Sequence, residues 1–315
     1  MNPTSTIERR GFLGGLLATG VSTRLGFAKD VKPAGQALAR KQNATTSNLE
    51  HCVFTKPFNS LSFEELAEQI AALGFQGIEA PIRRGGHVEP DAVATELPRL
   101  VRALESQGLK ITVMTSDISS LDSSHAKTVL RTAADLGVER FRMAYFRYEP
   151  KRPVLEQNES WRRPMETLAE YCGKIGIQAL YQNHAGAKYM GAAIWDLHRL
   201  IVDIDPEHLA VAYDLRHAMV EGGTSWPTAW RLIEPHVRTI YVKDYDWKDG
   251  RVANVPLGSG QVQPSFYREL LQAGYSGPIS LHEEYLDHRK PELVPEHINA
   301  INQDFDVLRS WLSDA

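Results

Sequence analysis

Seven short β-rich runs in this chain end in side chains that can hold a metal, move a proton or grip a polar ligand. Lys56 closes the first run, and Glu79 lies on the second with His87 just beyond it. Arg142 and Tyr145 mark the fourth, Gln182 and His184 the fifth, and Asp214 and His217 the sixth. Tyr241 and Lys243 close the seventh, with Trp247 following, and His282 and Glu284 close the eighth. Carboxylates and imidazoles accept protons or ligate divalent metals, a lysine stabilises developing negative charge, and arginine, tyrosine and amide groups hold polar ligands in place. Side chains alternate along a strand, so Gln182 shares a face with His184, Tyr241 with Lys243, and His282 with Glu284.

The elements that must position these residues are legible in the pattern. From residue 51 onward, β-rich runs at 51–56, 77–82, 110–115, 139–146, 177–183, 209–214, 237–243 and 278–284 alternate with stretches of helical period. Phe63, Leu66, Ala67, Ile70 and Ala71 recur at the spacing of one helix face, and Ser62 with Glu65 predicts a capping box at its start. Gly74, Gly137, Gly176 and Gly274 each stand where a helix must end just before the next strand, in the left-handed conformation glycine accepts. Eight βα units in about 265 residues predict a single-domain (β/α)8 TIM barrel over 49–315, with its polar strand ends converging on one mouth. The first strand is not followed by the G-x-G-x-x-G of a dinucleotide fold.

Composition sets further bounds. The 315 residues carry 43% hydrophobic and 23% charged side chains, as ordinary globular proteins do, and a formal net charge of -4. No basic field is present for nucleic acid, so a small polar ligand is expected. Cys52 and Cys172 stand far apart and outside any C-x-x-C arrangement, and read as buried thiols. Arg9-Arg10, the small apolar stretch from Gly14 to Val21 and Gly26-Phe27-Ala28 form a twin-arginine-like signal over 1–28, followed by a linker over 29–48. Cleavage is expected after Ala28, with no stable membrane anchor, the export machinery as a transient partner, and a periplasmic or secreted destination.

The chain resembles the sugar phosphate isomerase/epimerase branch of the xylose isomerase-like barrels. The resemblance rests on Asp214-x-x-His217, Val242-Lys243-Asp244, Pro256-Leu257-Gly258-Ser259-Gly260 and Gly274-Tyr275-Ser276-Gly277 leading into the eighth strand. It implies a divalent metal held by Glu, Asp, His and Glu from strands five to eight, with the glutamates moving protons through an enediolate. Here the matching positions are Gln182, Asp214, Tyr241 and His282, so only the aspartate is kept. Two mechanisms follow. In one, Gln182, Asp214 and His282 hold a zinc, manganese or iron ion while Glu284, Lys243 or His184 moves protons. In the other there is no metal, Lys243 stabilises an enolate, and a carboxylate or histidine is the base.

The implied activity is an isomerase or epimerase acting beside a sugar carbonyl, with Lys56, Glu79, His87, Arg142, Tyr145, His217, Tyr241 and Trp247 contacting the sugar or glycoside. The same proton abstraction would make a keto-glycoside lyase if a leaving group stood on the next carbon. A barrel that binds carbohydrate without turning it over is a third reading, with Trp195, Trp226, Trp230 and Trp247 as stacking platforms. The DNA-repair branch of the superfamily is disfavoured by the missing ligand set and basic face. The resemblance also implies homodimers, although no interface is readable in the sequence.

Overall fold

The computed structural model describes residues 49–313; the expected signal and linker, 1–28 and 29–48, lie outside the described residues. The strands are β1 (His51–Phe54), β2 (Gly77–Pro81), β3 (Lys110–Thr115), β4 (Arg140–Arg142), β5 (Gln178–Gln182), β6 (Leu209–Asp214), β7 (Val237–Val242), β8 (Asp244–Lys248), β9 (Arg251–Val255) and β10 (Ile279–Leu281). The helices are α1 (Phe63–Ala72), α2 (Val93–Ser106), α3 (Ala126–Asp135), α4 (Val154–Ile175), α5 (Trp195–Ile201), α6 (Leu215–Gly222), α7 (Trp226–Ile233), α8 (Pro264–Gln272) and α9 (Val294–Ser313). The expected barrel is found: β1, β10, β7, β6, β5, β4, β3 and β2 close in that order, with parallel neighbours throughout. No helix among the described residues is long and apolar enough to cross a membrane.

Local chemistry forms these elements as expected. The Ser62 and Glu65 side chains cap the start of α1 reciprocally, and Gly74, Gly137, Gly176 and Gly274 all take positive φ. Each expected run contains an observed strand, and the largest trimming is in the run 139–146, where only Arg140–Arg142 stays in the ladder. Beyond Arg142 the chain bends away, because the Ala144 amide donates to the Ile118 carbonyl in the loop after β3. The hairpin β8–β9 was not expected. It turns at Asp249-Gly250, where φ of 50° and 71° suit a two-residue loop of the I′ kind.

Strand parity decides which residues reach the barrel axis. On β6, Leu209, Val211 and Tyr213 join the core packed beneath the helices, whereas Ala210 and Ala212 join an interior plug with Val113, Leu180 and Tyr241. The next inward position on β6 is Asp214. On β5, Ala179 and Tyr181 face the helices, so Gln182 points inward. Above the plug the axis therefore changes from hydrocarbon to polar groups.

Candidate active site

The polar groups form two layers. The lower one centres on Glu79, which is fully buried. Its Oε1 accepts from Thr115 Oγ1 at 2.5 Å and Tyr241 OH at 3.2 Å, and lies 3.2 Å from Arg142 Nε. Its Oε2 accepts from Ser280 Oγ at 2.8 Å and lies 2.8 Å from His282 Nε2. Burial alone would raise the Glu79 carboxyl, but His282 and Arg142 outweigh it and bring it down to about 2. Glu79 and Tyr241, expected to contact a sugar, are buried together with His282. They form a buried floor, and the physical reason is their position one layer below the mouth.

The upper layer gathers an ammonium between two carboxylates. Lys243 Nζ lies 3.1 Å from Asp214 Oδ2 and donates to Glu284 Oε2 at 2.8 Å. Burial would lower the lysine, but Asp214 and Glu284 hold its ammonium above its ordinary range. Burial would raise Glu284, but Lys243 and His282 hold it well below the usual carboxylate range. Both are thus ionised at neutral pH. The Glu284 side chain keeps 25% of its surface exposed, against 5% for Lys243 and none for Asp214. Asp214 also caps α6 by accepting the His217 amide at 3.0 Å, and its backbone is pinned by reciprocal bonds with the Asn183 side chain.

His184 sits beside this cluster, its ring 4.0 Å from that of His217 and 4.3 Å from that of Tyr189. Its Nδ1 is 2.8 Å from the Ala185 carbonyl, which can only accept, so Nδ1 carries the proton and Nε2 the lone pair. Nε2 has no hydrogen-bond partner among the described residues. Burial, and then Lys243, push His184 down to about 4. His217 is held neutral by burial and Lys243, and accepts at Nδ1 from Arg216 at 2.9 Å.

The expected metal donors do not fit a metal. Gln182 spends its oxygen on Arg142 and Tyr145 and its Nε2 donates to Asp214 Oδ2 at 2.9 Å. His282 is committed to Glu79, and the Lys243 ammonium already neutralises Asp214. Among the described residues no three His, Cys, Asp or Glu side chains are grouped as a ligand set. A cation added between Asp214 and Glu284 would face the positive charge of Lys243. Dialysis against a chelator is therefore expected to leave turnover unchanged, with less than stoichiometric metal by elemental analysis. Loss of activity restored by manganese or zinc would overturn this account.

Other expected residues surround this network. Tyr145 donates to Gln182, and Arg142 donates to Tyr145 at 2.6 Å. Lys56 is partly buried and feels Glu284, Arg83, Lys243 and Arg142. His87 bonds Thr55 Oγ1 at 2.8 Å, joining the loops after β1 and β2. Trp247 stands on the hairpin, 51% exposed and edge-on to Tyr245, outside the Lys243 network. Sequence reasoning missed Thr115, Ser280, Asn183 and Arg83; inward parity on β3 and β10 was the available signal for the first two. The Asp244 and glycine motif is a latch, because the Asp244 carboxylate accepts from the amides of Gly258, Gly260 and Val262 at 2.9 to 3.0 Å. A Cβ on Gly260 would lie 2.2 Å from the Tyr245 carbonyl oxygen.

Fold and site together define a closed β/α barrel with an ammonium, two carboxylates and an imidazole at the strand ends. The chain belongs to the xylose isomerase-like TIM barrel family, whose profile matches residues 67–311. A search of curated proteins found no match. Among solved structures, the chain is similar to a 3-keto-D-glucoside 4-epimerase from E. coli (15% identity, TM-score 0.62), covering 83% of this chain and 99% of that one. It is similar to a probable 3-DHS dehydratase of petrobactin synthesis from Bacillus anthracis (15% identity, TM-score 0.64), with 83% and 99% covered. It is also similar to a xylose isomerase-like barrel protein from Mycobacterium smegmatis in complex with magnesium (17% identity, TM-score 0.62), with 85% and 99% covered.

Proposed function

We propose that the protein is an enzyme that moves a proton at the carbon next to the carbonyl of a keto-sugar, as an epimerase or isomerase, without a metal. The observation that carries this reading is the Lys243 ammonium held between Asp214 and Glu284 beside a neutral His184 with an unengaged Nε2. An ammonium has three protons, and two are directed at carboxylates, so the third is free to meet an enolate oxygen. Asp214 and Glu284 keep that charge in place while the carbanion develops. His184 Nε2 takes the proton, and the imidazolium so formed returns one to the enolate carbon. The E. coli epimerase of a keto-glucoside and the probable dehydratase support carbonyl-adjacent chemistry on this barrel. Export through the twin-arginine signal belongs to the same proposal.

The test is deuterium exchange, followed by NMR, in a panel of keto-sugars and 3-keto-glycosides. Exchange at the carbon beside the carbonyl, lost in His184→Ala, is the expected result. Saturable binding with no exchange would convert the reading to a carbohydrate-binding barrel, and release of an aglycone would convert it to a lyase. The pH profile gives a second check. A base must be neutral, and His184 sits at about 4, so kcat/KM is expected to stay flat through neutral pH and to fall tenfold per pH unit only below about 4. A limb near 6.5 would sink His184 as the base.

A further inference from the structure

Where β2, β3 and β4 end lies a cavity of about 330 Å³ whose lining includes Arg83, Arg142, Arg147, Tyr145, Ser116 and Asp117. Three guanidinium groups therefore meet one carboxylate that is not already buried in the floor. Their commitments differ. Arg142 spends Nε and one terminal nitrogen on Thr115, Glu79, Tyr145 and Gln182, and its Nη2 has no partner among the described residues. Arg147 donates through Nη2 to Tyr189 OH at 2.9 Å and stacks on that ring, its guanidinium carbon 4.7 Å from the centroid. Arg83 is partly buried, and its side chain makes neither a hydrogen bond nor an ion pair among the described residues. Asp117 faces the same cavity and its charge offsets part of that of Arg83, although no ion pair joins them; its Oδ2 accepts from the Arg84 amide at 3.0 Å.

A cation drawn partly out of water without a partner is costly, and costlier beside other cations. Burial, and then Arg142, lower Arg83, while burial lowers Lys56, which has neither hydrogen bond nor ion pair among the described residues. The ends of β2 and β4 thus bring three guanidinium groups to a cavity whose one carboxylate is Asp117. A planar guanidinium fork matches the two oxygens of a carboxylate or phosphate better than it matches a hydroxyl.

We propose that this cavity is an anion subsite, and that the substrate is a sugar bearing a carboxylate or phosphate group seated against Arg83, Arg147 and Nη2 of Arg142. This inference rests on the proposed function, since it names the class of its substrate. The subsite is two hydrogen bonds from Asp214, because Arg142 bonds Gln182 and Gln182 bonds Asp214. Binding the anion there would orient the carbonyl over Lys243.

Isothermal titration of the full chain with D-glucuronate, D-glucose 6-phosphate and D-glucose tests it without requiring turnover. One charged sugar is expected to bind about tenfold or more tightly than D-glucose, since a charge-assisted bond contributes that much. A preference for glucuronate assigns a carboxylate, and a preference for the 6-phosphate assigns a phosphate. Arg83→Gln and Arg147→Gln should each shrink the preference, and Arg83→Lys should retain part of it, with unchanged melting temperatures showing that the variants fold. Equal affinities, no binding of either charged sugar, or a preference intact in both Gln variants would overturn the subsite. Failure of the proposed reaction would show separately, as a charged-sugar preference without deuterium exchange.

Discussion

Replacing Lys243 with methionine is expected to lower kcat by about 10²- to 10³-fold, the loss seen when one preorganised donor to a developing oxyanion is removed. Methionine keeps much of the length and apolar volume of the lysine but brings no charge. It leaves Asp214, fully buried, and Glu284, one-quarter exposed, without the ammonium that lies 3.1 and 2.8 Å from them. KM should change less than kcat, because the ammonium is asked to act on charge that exists only in the transition state. A variant that raises KM and keeps kcat would assign Lys243 to binding alone.

The same substitution makes a pH prediction of definite sign. In the native protein Glu284 is held well below its ordinary value, so its contribution to stability is present above the unfolded carboxyl value and lost as pH falls through the folded one. Removing Lys243 removes the largest opposing charge, and burial then raises a carboxyl of the Asp214–Glu284 pair. The variant should be destabilised at pH 7 by about 3–5 kcal/mol, as when one partner of a buried ion pair is removed. Part of that loss should return on acidification, as the carboxyl takes up a proton. Chemical unfolding at pH 7 and pH 5 reads both effects, and a variant equally destabilised at the two values would refute the charge argument.

The barrel could be read from the sequence because its signals are local and repeated. The capping box at Ser62, the four glycines at helix ends and the alternation along β6 each report on a few neighbouring residues, and all agree. Parity also placed Lys243 and Glu284 on the inside. What parity could not supply is depth. Tyr241 and Lys243 share a face, yet one lies in the plug and the other at the mouth, and only closure of the barrel sets that difference. The proposed ligand set of Gln182, Asp214 and His282 suffered for the same reason. His282 belongs to the Glu79 layer, and the glutamate that answers it lies 203 residues away in sequence. Arg83 was overlooked because an unpaired arginine after a strand has no local signature; its significance is the absence of a partner, visible only once the loops after β2, β3 and β4 are assembled.

The floor beneath the site should prove as sensitive as the site itself, and Glu79→Gln isolates its charge. The native carboxylate receives Thr115, Tyr241, Ser280, His282 and Arg142 on its two oxygens. An amide of the same shape presents one oxygen and one donor, so groups that donate to Oε2 in the native protein meet an N–H instead. Arg142 loses its carboxylate while remaining buried, and the expected cost at pH 7 is about 3–5 kcal/mol. The pH dependence distinguishes charge from packing. With a folded value of about 2 against an ordinary 4.5, Glu79 contributes about 3 kcal/mol at neutral pH, and this is lost as pH falls from 4.5 towards 2. The gap in unfolding free energy between the native protein and Glu79→Gln should therefore narrow over that interval and stay constant above it. A gap independent of pH would mean that shape, not charge, holds the floor together. Activity should fall as well, because Arg142 positions Gln182, Gln182 donates to Asp214, and Asp214 sets the ammonium on which the proposed reaction depends.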